Sequence, residues 1–159
     1  SQRGAVNLGY RNFGDIEFYG ADVSTEYAAT DDISLFANYS WLSQSWFEKT
    51  DLGEGETGTR QYSLNTPKHR VKAGLTYYPS KGFSGGLSMR YQNSFTAQQG
   101  WYSGFVPKRT VWDAQFGYKF SQKTQLGINV SNLLDKKYTV YNGMPEIGTS
   151  AVASLRYQF

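Results

Sequence analysis

The amino-acid sequence predicts an all-β protein, an antiparallel transmembrane β-barrel of about eight strands, and three observations carry this prediction. The composition combines 13 Tyr, 10 Phe and 4 Trp with 17 Gly, which favours strands and turns over helices. Stretches of alternating apolar and polar residues recur about eight times, each bounded by Gly, Pro, Asn, Asp or Ser. The links between these stretches are short and long in turn, as they are in outer-membrane barrels.

The first four predicted strands carry an uncharged, mostly apolar or aromatic residue at every second position. This period of two is the signature of a strand whose two faces have different surroundings. The alternating residues are Val6, Leu8 and Tyr10 near residues 4–11; Tyr19, Ala21, Val23, Thr25 and Tyr27 near residues 17–27; Ile33, Leu35, Ala37, Tyr39 and Trp41; and Val71, Ala73, Leu75 and Tyr77.

The last four predicted strands repeat the pattern. The seventh is the shortest, and the eighth ends in aromatic residues. The alternating residues are Leu87, Met89 and Tyr91; Trp112, Ala114, Phe116, Tyr118 and Phe120; Leu126, Ile128 and Val130; and Ala151, Ala153, Leu155, Tyr157 and Phe159.

None of these alternating positions is charged, and eight charged residues lie on the opposite face: Asp22, Glu26, Arg70, Lys72, Arg90, Asp113, Lys119 and Arg156. A face in contact with lipid explains this, because a Lys or Arg there costs about 2 to 4 kcal/mol at the membrane midplane. A soluble antiparallel sheet with one buried face would segregate charge in the same way. In a narrow barrel the ions would have to pair. The expected pairs join Asp22, Glu26 and Asp113 with some of Arg70, Lys72, Arg90 and Arg156.

The lengths of the links favour the membrane alternative. Residues 28–32, 79–84 and 121–124 are short links that fall on one side, and residues 42–69, 96–109 and 133–150 are long links that fall on the other. Only the short link 12–15 breaks the asymmetry. Short periplasmic turns and long extracellular loops are typical of outer-membrane barrels. Aromatic residues also concentrate near the strand ends, which suits two interfacial girdles.

Length and composition exclude several other classes of protein. A chain of 159 residues has room for one domain, which we expect to span residues 1–159. The absence of Cys excludes disulfides and thiolate metal sites. The net charge of +3 is scattered along the chain without a basic run, so no nucleic acid is expected as a partner.

One motif identifies a family that the sequence resembles. Residues 129–138 read N-V-S-N-L-L-D-K-K-Y, and residues 154–159 read S-L-R-Y-Q-F. Together they resemble the C-terminal strands of a TonB-dependent outer-membrane receptor. Residues 20–27, 35–41 and 65–69 agree with the same family, so the resemblance covers nearly the whole chain.

The resemblance implies a 22-stranded barrel with an N-terminal plug, which takes up a scarce nutrient such as an iron chelate, cobalamin or a glycan with the help of TonB. The expected location is the bacterial outer membrane, in contact with lipid and lipopolysaccharide. Two architectures remain open: the C-terminal part of a larger receptor barrel, and a small closed eight-stranded barrel with a structural or assembly role. A third alternative is a soluble ligand-binding barrel of the lipocalin type, with its apolar face inward.

Two sets of residues are candidates for binding partners. The alternating C-terminal residues Leu155, Tyr157 and Phe159 resemble the signal that is read by the barrel-assembly machinery. Aromatic residues in the long loops are candidate extracellular ligand contacts. These residues are Trp46, Phe47, Trp101, Tyr102, Phe105, Tyr138 and Tyr141.

The sequence predicts no catalytic, cofactor or metal site, and no enzyme. His69 is the only His, so neither a His-based triad nor a multi-His metal site can be assembled. The acids Glu48, Asp51, Glu54 and Glu56 lie in one Gly-rich loop, but their spacing fits no Ca²⁺ loop, and a solvated loop is the expectation.

Overall fold

The computed structural model describes residues 16–49, 60–99, 102–141 and 143–159, which form eleven strands. Among these residues no helix is long and apolar enough to cross a membrane. The strands are β1 (Gly20–Ala28), β2 (Ile33–Leu42), β3 (Trp46–Lys49), β4 (Arg60–Ser63), β5 (His69–Tyr77), β6 (Gly82–Gln92), β7 (Phe95–Gln99), β8 (Tyr102–Val106), β9 (Arg109–Lys119), β10 (Thr124–Ser131) and β11 (Ser150–Tyr157).

Seven of these strands form one antiparallel sheet in the order β1-β2-β5-β6-β9-β10-β11. They correspond to the second to eighth predicted strands, whereas the first, near residues 4–11, lies outside the described residues. No described residue pairs with the outer edge of β1 or of β11, so the described sheet is open. The all-β antiparallel prediction is confirmed, and the described strands form an open sheet.

Two hairpins occupy links that the sequence predicted as loops. The pair β3–β4 lies within residues 42–69, and the pair β7–β8 lies largely within residues 96–109. The hairpins are joined to each other, because Asn65 Nδ2 donates to Gln98 O at 2.8 Å and Gln98 N donates to Asn65 Oδ1 at 2.6 Å. Phe95, Ala97 and Val106 are buried together beside this junction.

The strand register gives the sheet one face without Asp, Glu, Lys or Arg, which we call the apolar face. One row across it contains Leu35, Leu75, Leu87, Ala114 and Val130. Many of its large side chains are exposed, among them Leu35, Leu75 and Phe116, because no described part of the chain covers them. Exposed apolar surface of this extent requires a lipid or protein environment. An uncharged apolar face of this kind suits the lipid-facing side of a barrel wall.

The three short turns lie at one end of the sheet, and two of them share one structure. Thr30 Oγ1 accepts hydrogen bonds from the backbone N–H groups of Asp32 and Ile33. Ser121 Oγ accepts from those of Lys123 and Thr124 in the same way. A side-chain hydroxyl thus closes each turn. The remaining short turn, predicted at residues 79–84, is shorter than expected because β6 begins at Gly82.

Aromatic side chains lie at both ends of the apolar face. At the short-turn end, Tyr118 packs edge-on against Phe120 with ring centroids 4.8 Å apart, and Tyr157 packs against Phe159 at 5.3 Å. At the opposite end, Tyr39 Oη lies 2.8 Å from His69 Nδ1. His69 therefore has a structural role, and its backbone N–H donates to Asn93 Oδ1 at 3.1 Å.

Gly74 allows a close approach between strands on the face opposite to the apolar one, and Gly74→Ala is expected to destabilise the sheet. A Cβ at this position would lie 2.7 Å from Leu87 O and 2.8 Å from the Phe36 ring. We expect a loss of about 1 to 3 kcal/mol in unfolding free energy, typical of overpacking. Chemical unfolding of the full-length protein in lipid vesicles measures this loss.

Gly85→Ala is the matched control, because a Cβ at Gly85 would meet its neighbours at ordinary distances of 3.4 to 3.5 Å. If the two variants have equal free energies of unfolding, the close packing around Gly74 does not contribute to stability.

Candidate functional site

The face opposite to the apolar one, which we call the polar face, collects four cations at the end far from the short turns. Arg70 lies opposite Gln92, which in turn lies opposite Arg109. The next row places Lys72 opposite Arg90. Neighbouring strands are about 4.8 Å apart, so these cations share one small area.

These side chains line a cavity of about 280 Å³, which we call the cationic pocket. Arg70, Lys72, Arg90 and Arg109 supply its positive charge, and Tyr138 closes one side. The pocket lies on the face where charged residues were predicted to collect. It also contains Arg109, which the sequence predicts at the end of the link formed by residues 96–109.

One of the four cations is neutralised by a carboxylate. The Arg90 guanidinium donates two hydrogen bonds to Asp113, with Nε to Oδ2 at 2.7 Å and Nη2 to Oδ1 at 3.0 Å. This bidentate geometry is the strongest form of such a pair. The predicted pairing is confirmed for Asp113. Asp22 and Glu26 form no ion pair among the described residues, since their strand β1 is the edge of the described sheet.

The other three cations are held by neutral groups. Arg70 Nη2 donates to Thr66 Oγ1 at 2.9 Å. Arg109 Nη1 donates to the backbone carbonyl of Thr139 at 3.0 Å, and its guanidinium lies 4.5 Å from the centre of the Tyr138 ring. Lys72 Nζ lies 5.5 Å from the centre of the Phe36 ring. Within the described part of the chain, their charge therefore has no acidic partner.

Gln92 adds an unsatisfied donor to the same pocket. Its side-chain Nε2 is buried, and no described residue accepts a hydrogen bond from it. A buried amide donor without a partner costs free energy, so an acceptor supplied by a ligand or by water is expected here. The pocket thus combines positive charge with a buried hydrogen-bond donor in its wall.

The motif at residues 129–138 folds into a compact structure beside this pocket. Asn132 is only 2% exposed and adopts a left-handed backbone with φ of 56°. Its backbone N–H donates to Asp113 Oδ1 at 3.0 Å. Its side-chain Oδ1 accepts from Lys136 N–H, and its Nδ2 donates to the carbonyls of Lys136 and Ile147. Asn132 therefore connects the Arg90–Asp113 pair to the loop that follows β10.

Asp135 closes the same loop. Its Oδ1 accepts hydrogen bonds from the backbone N–H of Thr149 at 2.9 Å and from the Thr149 hydroxyl at 3.2 Å. These two bonds hold the pKa of Asp135 below its usual range. The stabilisation that they give is present above the unfolded pKa of about 3.9 and is lost as the pH falls through the lowered folded value.

Acidification is therefore expected to loosen the 132–149 loop in the wild type, and less so in Asp135→Asn. The Asn side chain keeps an acceptor oxygen and cannot titrate. Hydrogen exchange at the Thr149 amide, compared between about pH 5 and about pH 2.5 after correction for the intrinsic rate, measures the effect. The same pH dependence in both proteins would show that Asp135 does not control the loop.

The structure places the predicted loop aromatics in different surroundings. Of the candidates that the structure describes, only Tyr138 lines the cationic pocket. Phe47 stacks on Tyr62 with ring centroids 5.7 Å apart. Trp46, Tyr102, Phe105 and Tyr141 are exposed, and Trp101 lies outside the described residues.

The C-terminal candidates lie together on the apolar face at the short-turn end. Leu155 is paired with Leu126, and Tyr157 with Thr124. Leu155, Tyr157 and Phe159 are all exposed, beside the unpaired outer edge of β11 in the described sheet. An exposed strand edge with apolar side chains is a surface to which another strand can add.

No metal cluster is seen among the residues that the structure describes. Of the acidic loop residues, Glu48 accepts a hydrogen bond from Gln61 at 2.8 Å. Asp51, Glu54 and Glu56 lie outside the described residues.

The sequence did not predict that Gln92 and Arg109 lie side by side in the pocket. It also did not predict that Asn132 is buried and holds the loop after β10 through its hydrogen bonds. Arg109 was detectable, because it lies four residues before Asp113 and so falls on the same face of the strand. The burial of Asn132 had no signal beyond the motif itself.

Comparisons with known proteins agree with this architecture. A family model described as "TonB dependent receptor-like, beta-barrel" matches residues 1–133. The siderophore receptor PiuA from Acinetobacter baumannii superposes with a TM-score of 0.65 at 21% identity, over 88% of this chain and 21% of that chain. The siderophore receptor PirA from the same organism gives 0.64 at 19% identity, over 88% and 22%. The copper transporter OprC gives 0.63 at 17%, over 89% and 23%.

The chain therefore spans about a fifth of the length of these solved structures. At such identities the superpositions show a shared fold, a part of the receptor barrel. The family match covers most of the chain and is independent of them. Receptors of this family are outer-membrane proteins of Gram-negative bacteria. This chain belongs to the TonB-dependent receptor β-barrel family.

Proposed function

We propose that this chain is one barrel domain over residues 1–159 that forms the C-terminal part of the wall of an outer-membrane uptake receptor. The observation that carries the proposal is the division of one sheet into two faces. The apolar face lacks acidic and basic residues and is uncovered, whereas the polar face holds the cationic pocket. In a membrane barrel such faces meet lipid and lumen respectively.

The ligand that suits the pocket is an anionic nutrient complex. Arg70, Lys72 and Arg109 line the pocket and form no ion pair with a carboxylate among the described residues. A lumen of low dielectric strengthens their attraction for an anion. These groups favour a negatively charged iron chelate over an uncharged glycan as the transported ligand.

The partners follow from the geometry of the two ends. Leu155, Tyr157 and Phe159 form an exposed apolar edge that suits recognition by the barrel-assembly machinery. The exposed loop aromatics lie at the opposite end of the sheet, where they would contact the ligand and lipopolysaccharide. In a receptor, further strands would pair with the edges of β1 and β11 that no described residue covers, and uptake would use a plug and TonB. The proposal includes no enzymatic step.

Neutralising the pocket tests the proposal. The full-length receptor in detergent is compared with its Arg70→Gln, Lys72→Gln variant, with a ferric tricatecholate complex as the anionic probe and tryptophan fluorescence quenching as the readout. We expect the Kd to rise about tenfold, since each lost charge contact contributes on the order of 0.5 to 1 kcal/mol.

The control is the Lys81→Gln, Lys123→Gln variant, which removes the same charge at the short-turn end. Its Kd is expected to stay within about twofold of the wild-type value. Equal losses in the two variants would mean that net charge, and not the pocket, attracts the probe. Binding of cobalamin but not of the chelate would refute the anionic ligand class.

A further inference from the structure

A second basic site lies at the short-turn end of the polar face, away from the cationic pocket. Lys81, Lys119, Lys123 and Arg156 line one cavity of about 360 Å³, which we call the basic rim. The other lining residues are Ser and Gln, so no described carboxylate faces these four cations within it. Like charges that are grouped in this way repel one another until an anion is bound.

The register fixes the spacing of two of these cations. Gln125 in β10 lies opposite Lys119 in β9 on one side and opposite Arg156 in β11 on the other. The two cations are therefore two strands apart, which is about 9.6 Å. Both lie on the polar face, because the neighbouring residues Tyr118 and Leu155 lie on the apolar one.

Local contacts hold the rim in place before any ligand arrives. The Lys119 ammonium lies 4.0 Å from the centre of the Tyr78 ring. A hydrogen bond from Lys119, and to a smaller extent one from Gln125, lowers the pKa of the Tyr78 phenol below its ordinary value. The turn that carries Lys123 is closed by Ser121 Oγ, and Gln158 N donates to the Lys123 carbonyl at 2.9 Å.

The position of the rim distinguishes two kinds of anionic partner. Lipid headgroups surround a barrel on its outer, apolar side, whereas Lys119 and Arg156 lie on the inner, polar side. A chain that enters the mouth of the barrel from the periplasm meets these cations directly. An acidic peptide carries several carboxylates along one chain, which complements four cations that no described carboxylate faces in this cavity.

We propose that the basic rim binds an acidic peptide segment at the periplasmic mouth of the barrel. The inference rests on the proposed function for the direction of the sheet, since that function places the short turns in the periplasm. The acidic side chains of the partner would face Lys81, Lys123 and Arg156, with Lys119 already oriented by Tyr78.

The test measures binding of a fluorescein-labelled decapeptide of alternating Glu and Ser to the full-length receptor in neutral detergent, by fluorescence anisotropy. The rim variant carries Lys81→Gln, Lys123→Gln and Arg156→Gln and keeps Lys119, which holds Tyr78. The control variant carries Lys108→Gln, Lys136→Gln and Lys137→Gln, which removes the same charge near the opposite end of the sheet.

We expect the wild type to bind the peptide and the rim variant to bind it about tenfold more weakly, with the control within about twofold. Raising the salt concentration should weaken wild-type binding more than that of the rim variant. No binding by the wild type, or equal losses in both variants, would overturn the proposal. So would complete displacement of the peptide by phosphatidylglycerol in mixed micelles, which would assign the rim to lipid.

The barrel itself is measured separately, by the heat-modifiable mobility of each variant in a gel and by its circular dichroism. If the wild type is β-rich and heat-modifiable but does not bind the peptide, the proposal for the basic rim fails and the proposed function stands. Loss of the barrel signature in the wild type would instead refute the proposed function.

Discussion

Replacing Asn132 by Ala is expected to release the loop of residues 132–149 from the sheet. The change removes the side-chain bonds to Lys136 and Ile147 and places Ala at a φ of 56°. Lys136 and Ile147 are exposed, so each lost hydrogen bond costs about 0.5 to 1.5 kcal/mol, and the left-handed backbone adds about 1 kcal/mol. The loop should therefore lose roughly 2 to 4 kcal/mol. Hydrogen exchange at Leu133, Lys136 and Thr149 measures this loss.

Asn132→Gly separates the two contributions, because Gly tolerates the left-handed backbone but makes no side-chain bonds. It should recover about 1 kcal/mol of the loss. Since Asn132 N–H also bonds Asp113, release of the loop should weaken ligand binding at the cationic pocket in both variants. Unchanged amide protection in the Ala variant would contradict the role of Asn132.

A single charge on the apolar face should destabilise the barrel in the membrane. Leu75 is an exposed residue of that face in the middle of the sheet, paired with Leu35 and Leu87. Leu75→Lys is expected to lower the free energy of unfolding in lipid vesicles by about 2 to 4 kcal/mol if the residue lies near the midplane. Guanidinium unfolding of the full-length protein, followed by tryptophan fluorescence, measures the change.

Thr76→Lys is the matched control, since Thr76 is the next residue of β5 and lies on the polar face opposite Ser34 and Gly86. Its new charge is hydrated in the lumen, so the cost should stay below about 1 kcal/mol. If the two lysines destabilise equally, the two faces have the same surroundings and the membrane assignment fails.

The strands of the main sheet were predictable because their side chains alternate over eight or more residues. The segment that became β2 places Leu35, Tyr39 and Trp41 on one face with no interruption, and the structure keeps that pattern. The hairpins were not predictable in the same way. Strand β3 has only four residues, and β7 has one aromatic residue among polar ones, so neither gives a clear period.

The candidate site depended on strand register, which the sequence did not specify. The charges of Arg70 and Asp113 were assigned correctly to one face from their positions alone. Which cation would meet Asp113 required knowing that β6 and β9 pair Ser88 with Asp113, because this places Arg90 one diagonal step away. The row of Arg70, Gln92 and Arg109 depends on the same register, and a shift of one residue would have moved it to the opposite face.

The most direct test of the two-faced sheet is a cysteine scan of β5, residue by residue from Arg70 to Tyr77, with a spin label at each position. The chain contains no Cys, so each label in it is unique. In lipid vesicles, labels at Val71, Ala73 and Leu75 should be relaxed mainly by oxygen dissolved in the bilayer. Labels at the alternate positions Lys72 and Thr76 should be relaxed mainly by a water-soluble nickel chelate. Equal accessibility along the strand, or the reverse alternation, would contradict a barrel wall with lipid on one face and the lumen on the other.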